Sequence, residues 1–99
     1  VLRHVVLLHL VDDVAPEQVD GIVAALEGLV DAVPSIRGYQ VGRDAGLDAD
    51  NAHLAVVADF DDADGFAAYR DHPDHQRVLR ERIRPVLQRR TALQFRTGD

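Results

Sequence analysis

The stretch YRDHPDHQ, residues 69–76, sets one tyrosine and two histidines around a proline. A neutral imidazole takes up a proton near neutral pH, its unperturbed pKa being about 6.5. A phenol donates a hydrogen bond to a carbonyl oxygen. Side by side, Tyr69 and His75 suit proton removal next to a carbonyl: enolisation followed by aldol-type ring closure, or isomerisation, with Tyr69 steadying the enolate. Two more histidines extend the set. His4 lies inside one apolar run and His53 opens another. If those runs are neighbouring strands and both imidazoles face the helices, they line one pocket. A plainer account stands beside this one, in which YRDHPDHQ is a solvated helix start and His4 and His53 are hydrogen-bonded near the end of a sheet. Spacing alone does not bring Tyr69 to His75, because an unbroken helix sets them about 120° apart around its axis. Pro73 disfavours helix at His72, and a bend there swings His75 toward the sheet.

Other chemistries find little support. The chain has no cysteine, which removes thiolate nucleophiles, disulfides and thiolate metal sites. Ser35, the only serine, follows a proline in a loop, which gives a Ser-His-Asp triad weak support. His72 and His75 with Asp71 or Asp74 lack HExxH spacing and a clear further ligand. Asp44, Asp48 and Asp50 do not match a calcium loop, and the glycines have neither Walker nor Rossmann spacing. Asp59 and Asp61 fit a strand end and a helix cap. No metal and no cofactor are therefore expected. Eleven basic against seventeen acidic residues give a formal charge of −6, and RERIR at 80–84 is diluted by carboxylates, so phosphate-mediated nucleic-acid binding is not expected. No apolar run is long enough to span a bilayer, and a soluble cytoplasmic protein without a membrane partner is expected.

The elements that must position these residues follow from periodicity. Ninety-nine residues, 46% of them hydrophobic and patterned, suit a single domain over 1–99. LRHVVLLHL, 2–10, reads as a strand with apolar residues on both faces. Pro16 opens a helix to about residue 32, with Val19, Ile22, Val23, Leu26 and Leu29 in one stripe. IRGYQVG, 36–42, is a short strand on which Arg37 and Tyr39 alternate. HLAVVADF, 53–60, separates into His53, Ala55, Val57 and Asp59 on one face and Leu54, Val56, Ala58 and Phe60 on the other. A helix over 63–71, a bend at His72-Pro73 and a second helical piece to about 88 follow, with Pro85 kinking or ending it. TALQFRT, 91–97, closes the sheet. The order is βαββαβ with a split second helix, an α+β ferredoxin-like sandwich. Helices cover one face of such a sheet. The other face of the first strand stays apolar, and a second copy is its cheapest cover. A homodimer in which two sheets close an α/β barrel is the expectation.

RHVVLL, VPSIRGYQVGRD, HLAVVADF and AAYRDHPDHQRVLRERIRPVL together resemble the stress-responsive alpha/beta-barrel (Dabb) domain family over almost the whole chain. The Tyr-x-x-His-Pro-x-His arrangement is the most specific of these marks. The resemblance implies a small ferredoxin-like homodimer, in a family most of whose members have no assigned reaction. One branch, similar to the olivetolic acid cyclases of plants, closes a linear polyketide by aldol condensation. That likeness implies His75 as general base, Tyr69 as its partner, and His4 and His53 lining the same pocket. Leu26 stands where that branch carries a pocket tyrosine. Two functions are thus in competition. One is a cofactor-independent lyase, cyclase or isomerase acting on a small carbonyl or aromatic compound. The other is a non-enzymatic stress-response or auxiliary ligand-binding protein.

Overall fold

The computed structural model describes residues 1–98. Strand β1 (Leu2–Leu10) lies where the Val- and Leu-rich run places it. Its even-numbered residues, from Leu2 through His4 to Leu10, are buried against the helices. Helix α1 (Pro16–Glu27) starts on a proline, whose missing N–H costs nothing there, and the Gln18 side chain accepts the Ala15 N–H at 2.8 Å. The helix expected over 16–32 is interrupted at Gly28, and Leu29–Ala32 forms a separate turn, α2. The glycine has no side chain to pack and weakens helix at that point. Strands β2 (Gly38–Arg43) and β3 (Leu54–Phe60) follow.

Helix α3 (Ala63–Asp71) begins at Asp62, whose carboxylate accepts the Gly65 N–H at 2.9 Å. It stops at His72, which is extended ahead of Pro73, and α4 (Pro73–Val78) starts on that proline. A wide π turn (Leu79–Ile83) and a tight 3-10 turn (Arg84–Val86) complete the segment. Pro85 sits in the first turn of the 3-10 segment, where its missing N–H is tolerated. Strand β4 (Leu87–Arg96) then begins at Leu87, ahead of the expected Thr91. Residues 87–90 pair with the far end of β1, Arg90 opposite Leu8 and Leu87 opposite Leu10.

All strand pairs are antiparallel in the order β2-β3-β1-β4. The core lies between the sheet's inner face and the helices: Leu8, Val56 and Phe60 meet Ile22, Leu26 and Leu29. The ferredoxin-like fold with its split second helix is as expected. The closed α/β barrel is not formed. The sheet is open, with β2 and β4 as free edges separated by two strands. Closing a sheet takes a strand complement of about eight and a continuous ladder, and four strands ending on two edges supply neither.

The cap at Asp62 carries a clear expectation. Asp62→Ala, which orphans the Gly65 N–H, lowers stability by about 1 kcal/mol in urea unfolding. Asp61→Ala breaks only an exposed pair with Arg37 and costs about half of that or less.

Candidate functional site

β1 carries His4 into the layer between sheet and helices, where it is only 3% exposed. Gln94 of β4 stands opposite it in register. The Gln94 amide donates to His4 Nδ1 at 2.8 Å, which leaves the imidazole hydrogen on Nε2. The Phe66 ring centroid lies 4.8 Å away. Burial, followed by the charges of Arg90 and His75, lowers the His4 pKa to about 4.

Tyr69, on the inner face of α3, is buried, and its hydroxyl lies 2.9 Å from that of Tyr39 on β2. Burial raises both phenols. The hydrogen bond from Tyr39 and the charge of Arg90 offset part of that rise at Tyr69. The break at His72-Pro73 does what a continuous helix cannot. It turns α4 so that the His75 ring lies against Tyr69, centroid to centroid 4.3 Å. His75 Nδ1 donates to the Arg70 carbonyl at 2.9 Å, and Nε2 is therefore the basic nitrogen of the neutral ring. Burial lowers the His75 pKa, and the bond to Arg70 partly offsets it.

His4, Tyr69 and His75 share a cavity of about 270 Å³. Its walls are apolar, from Val6, Leu26, Val56, Ile83 and Leu87. Leu26 thus occupies a wall position on α1. Three exposed arginines, Arg70, Arg84 and Arg90, complete the lining. The sequence assigns none of them to the site: Arg84 and Arg90 fall in RERIR and QRR, which weigh only as basic runs, and Arg70 in the YRDHPDHQ motif is passed over for its tyrosine and histidines. What would have found Arg90 is its spacing from Ala92 and Gln94 on one face of β4, once the strand is known to start at Leu87.

His53 does not join this group. Antiparallel register sets His4 opposite Ala58 and Leu8 opposite Leu54, so His53 falls beyond the far end of the pairing. Its position also puts it in step with Ala55 and Val57, on the sheet face turned away from the helices. There its Nδ1 accepts the Leu10 N–H at 3.0 Å, and its backbone N–H donates to the Leu8 carbonyl at 2.9 Å. His72 caps α4, accepting the Asp74 N–H at 3.1 Å. Asp44 is engaged by Gly46 and Asn51 within its loop. Among the described residues no cluster of three or more His, Asp or Glu side chains is placed to hold a metal ion, and no helix is long and apolar enough to cross a membrane.

Residues 2–97 match the family described as Stress responsive A/B Barrel Domain. A dimeric ferredoxin-like protein of unknown function from Thermobifida fusca is 47% identical, with a TM-score of 0.87 over 95% of this chain and 88% of that one. A Dabb family protein with a ferredoxin-like fold from Mesorhizobium loti is 20% identical, with a TM-score of 0.80 over 96% and 94%. The hydroxynitrile lyase of Passiflora edulis is 21% identical, with a TM-score of 0.82 over 95% and 90%. The last two likenesses are of fold. The first two structures are described as ferredoxin-like, in keeping with the open sheet here. A search of the curated proteins finds no match.

The lowered His4 pKa has a signed consequence. The unfolded chain takes up this proton near pH 6.5, the folded chain only near 4. The contribution is complete above pH 6.5 and is lost as the pH falls toward 4, up to roughly 3 kcal/mol at about 1.4 kcal/mol per unit. Urea unfolding at stepped pH should show that acid limb, and His4→Phe, which takes no proton, should flatten it.

Proposed function

The chain belongs to the stress responsive A/B barrel domain family, and from that premise we propose that it is a homodimeric small-molecule-binding protein, acting in stress response or as an auxiliary to other enzymes. The observation that carries this is the cavity of about 270 Å³, with apolar walls and its hydrogen-bonding side chains gathered from β1, α3 and α4. Ligand sites have this make-up: an apolar body with a few placed polar groups. A small carbonyl or aromatic compound is the class that fits, its ring among Leu26, Val56 and Ile83 and its oxygen toward Tyr69 and His75.

The outward sheet face supports the dimer. Leu7, Leu93 and Phe95 are 39%, 56% and 43% exposed there, next to half-buried Val5 and Val57. An apolar sheet face of this kind calls for a cover, and the Thermobifida fusca protein is itself dimeric.

The contact of Tyr69 with His75 favours a second reading, acid–base catalysis by a lyase, cyclase or isomerase. In it His75 Nε2 removes a proton next to a carbonyl, Tyr69 holds the developing enolate oxygen, and His4 completes the polar end. His53 is too far along the sheet to share the work. The lowered pKa of both imidazoles weighs toward binding, because a general base works best with a pKa near the ambient pH.

Sedimentation equilibrium should give twice the 10.9 kDa chain mass, and Phe95→Asp should bring it to the single-chain value. With 2-acetonaphthone as probe, amide NMR signals of Val6, Leu26, Tyr69 and His75 should shift saturably. His75→Ala should weaken that binding about fivefold while fold and dimer persist. Deuterium incorporation at the probe's methyl group, accelerated by the wild type and not by His75→Ala, would establish the catalytic reading instead. Absence of any saturable shift would remove the binding reading.

A further inference from the structure

We infer that the cavity selects anionic ligands, and that Arg90 is the residue that reads the charge: the ligand is a small carboxylate with an apolar body of one or two rings. This deepens the binding reading and rests on it. The first observation is the composition of the lining. The chain carries seventeen acidic residues against eleven basic ones, yet the cavity is lined by three arginines, two histidines and a tyrosine without a single carboxylate. In so acidic a chain that sorting of charge sets the cavity apart from the rest of the surface.

The second observation is which arginine is free to act. Arg70 is engaged by its neighbour Asp71 through two bonds of 2.9 and 3.0 Å. Arg84 and Arg90 make no ion pair among the described residues. Arg90 has the better placement. It stands opposite Leu8 on the inner face of β4, in line with Ala92 and with Gln94, the partner of His4. Its charge is felt by His4, Tyr69 and His75 alike. A rigid strand therefore carries a guanidinium at the exposed rim of the cavity, and guanidinium is the side chain whose planar fork matches a carboxylate.

The third is the division between wet and dry. Arg84 and Arg90 are exposed, whereas Leu8, Leu26 and Val56 are buried. A ligand bound this way keeps its carboxylate at the hydrated rim and escapes the cost of burying an ion. Its apolar body fills the interior. A cavity of roughly 150 Å³ holds a benzene molecule, so about 270 Å³ accommodates a substituted ring or a fused pair.

The test is isothermal titration of the full chain with 2-naphthoate and with 2-naphthamide, which share shape and differ in charge. Wild type, Arg90→Gln and Arg89→Gln are compared at low salt. Arg89 lies on the opposite face of β4, against His9, so its variant changes net charge equally without touching the cavity. Naphthoate should bind the wild type at least about tenfold tighter than the amide. Arg90→Gln should bring the two to parity, and Arg89→Gln should preserve the difference. Equal affinities in the wild type, or a preference that survives Arg90→Gln, overturn the anion assignment and leave the binding reading standing. Failure of both probes to bind removes the binding reading, and this inference with it.

Discussion

The alternation of β1 is the constraint on which the rest depends. The strand is central, flanked by β3 and β4, and both pairings are antiparallel. A side-chain period of two then fixes which residues of all three strands face the helices. His4 shares that face with Val6 and Leu8, which is why an imidazole is buried in an otherwise apolar layer. The same parity delivers Ala58 and Val56 from β3, and Gln94 and Arg90 from β4. A slip of one residue would send His4 to the outward face and bring Val5 and Leu7 inward. The polar end of the cavity would vanish, although the sheet would still be well paired.

The helical layer adds a second constraint, the break at His72-Pro73. Proline disfavours helical backbone in the residue before it, and His72 accordingly leaves the helix and caps the next one. Two short helices at an angle leave room that one straight helix would fill. Tyr69 lies in the last turn of one and His75 in the first turn of the other, and their rings meet across the corner. The opening motif is thus both things it seemed to be. Its His72 and Asp74 form a helix start, while its Tyr69 and His75 turn inward.

The sequence made some of this legible and concealed the rest for physical reasons. The bounds of β1, the two faces of β3 and the bend at Pro73 are local properties, and periodicity or proline geometry displays them directly. So is the grouping of His53 with Ala55 and Val57. What periodicity does not carry is register. Only the pairing of Leu8 with Leu54 shows that His4 and His53 lie at different ends and on different faces of the sheet. The start of β4 was hidden because Val86 and Leu87 continue the apolar spacing of the helical piece to about 88, and with it went the placement of Arg90. The open sheet likewise depends on which strands end as edges, a tertiary fact that no single segment encodes.

Charge and hydrogen bonding in the cavity are coupled through Arg90. Its positive charge is one of the causes that hold His4 and His75 neutral. Neutral imidazoles with assigned tautomers are directional: the His4 ring carries its hydrogen on Nε2, and the His75 ring offers Nε2 as an acceptor. An anion placed against Arg90 would cancel much of that charge and draw both pKa values upward, because an opposite charge favours the protonated ring. Binding and proton uptake would then reinforce one another. Burial remains the larger cause of both low pKa values, so a ligand's charge would act only on the part that Arg90 contributes.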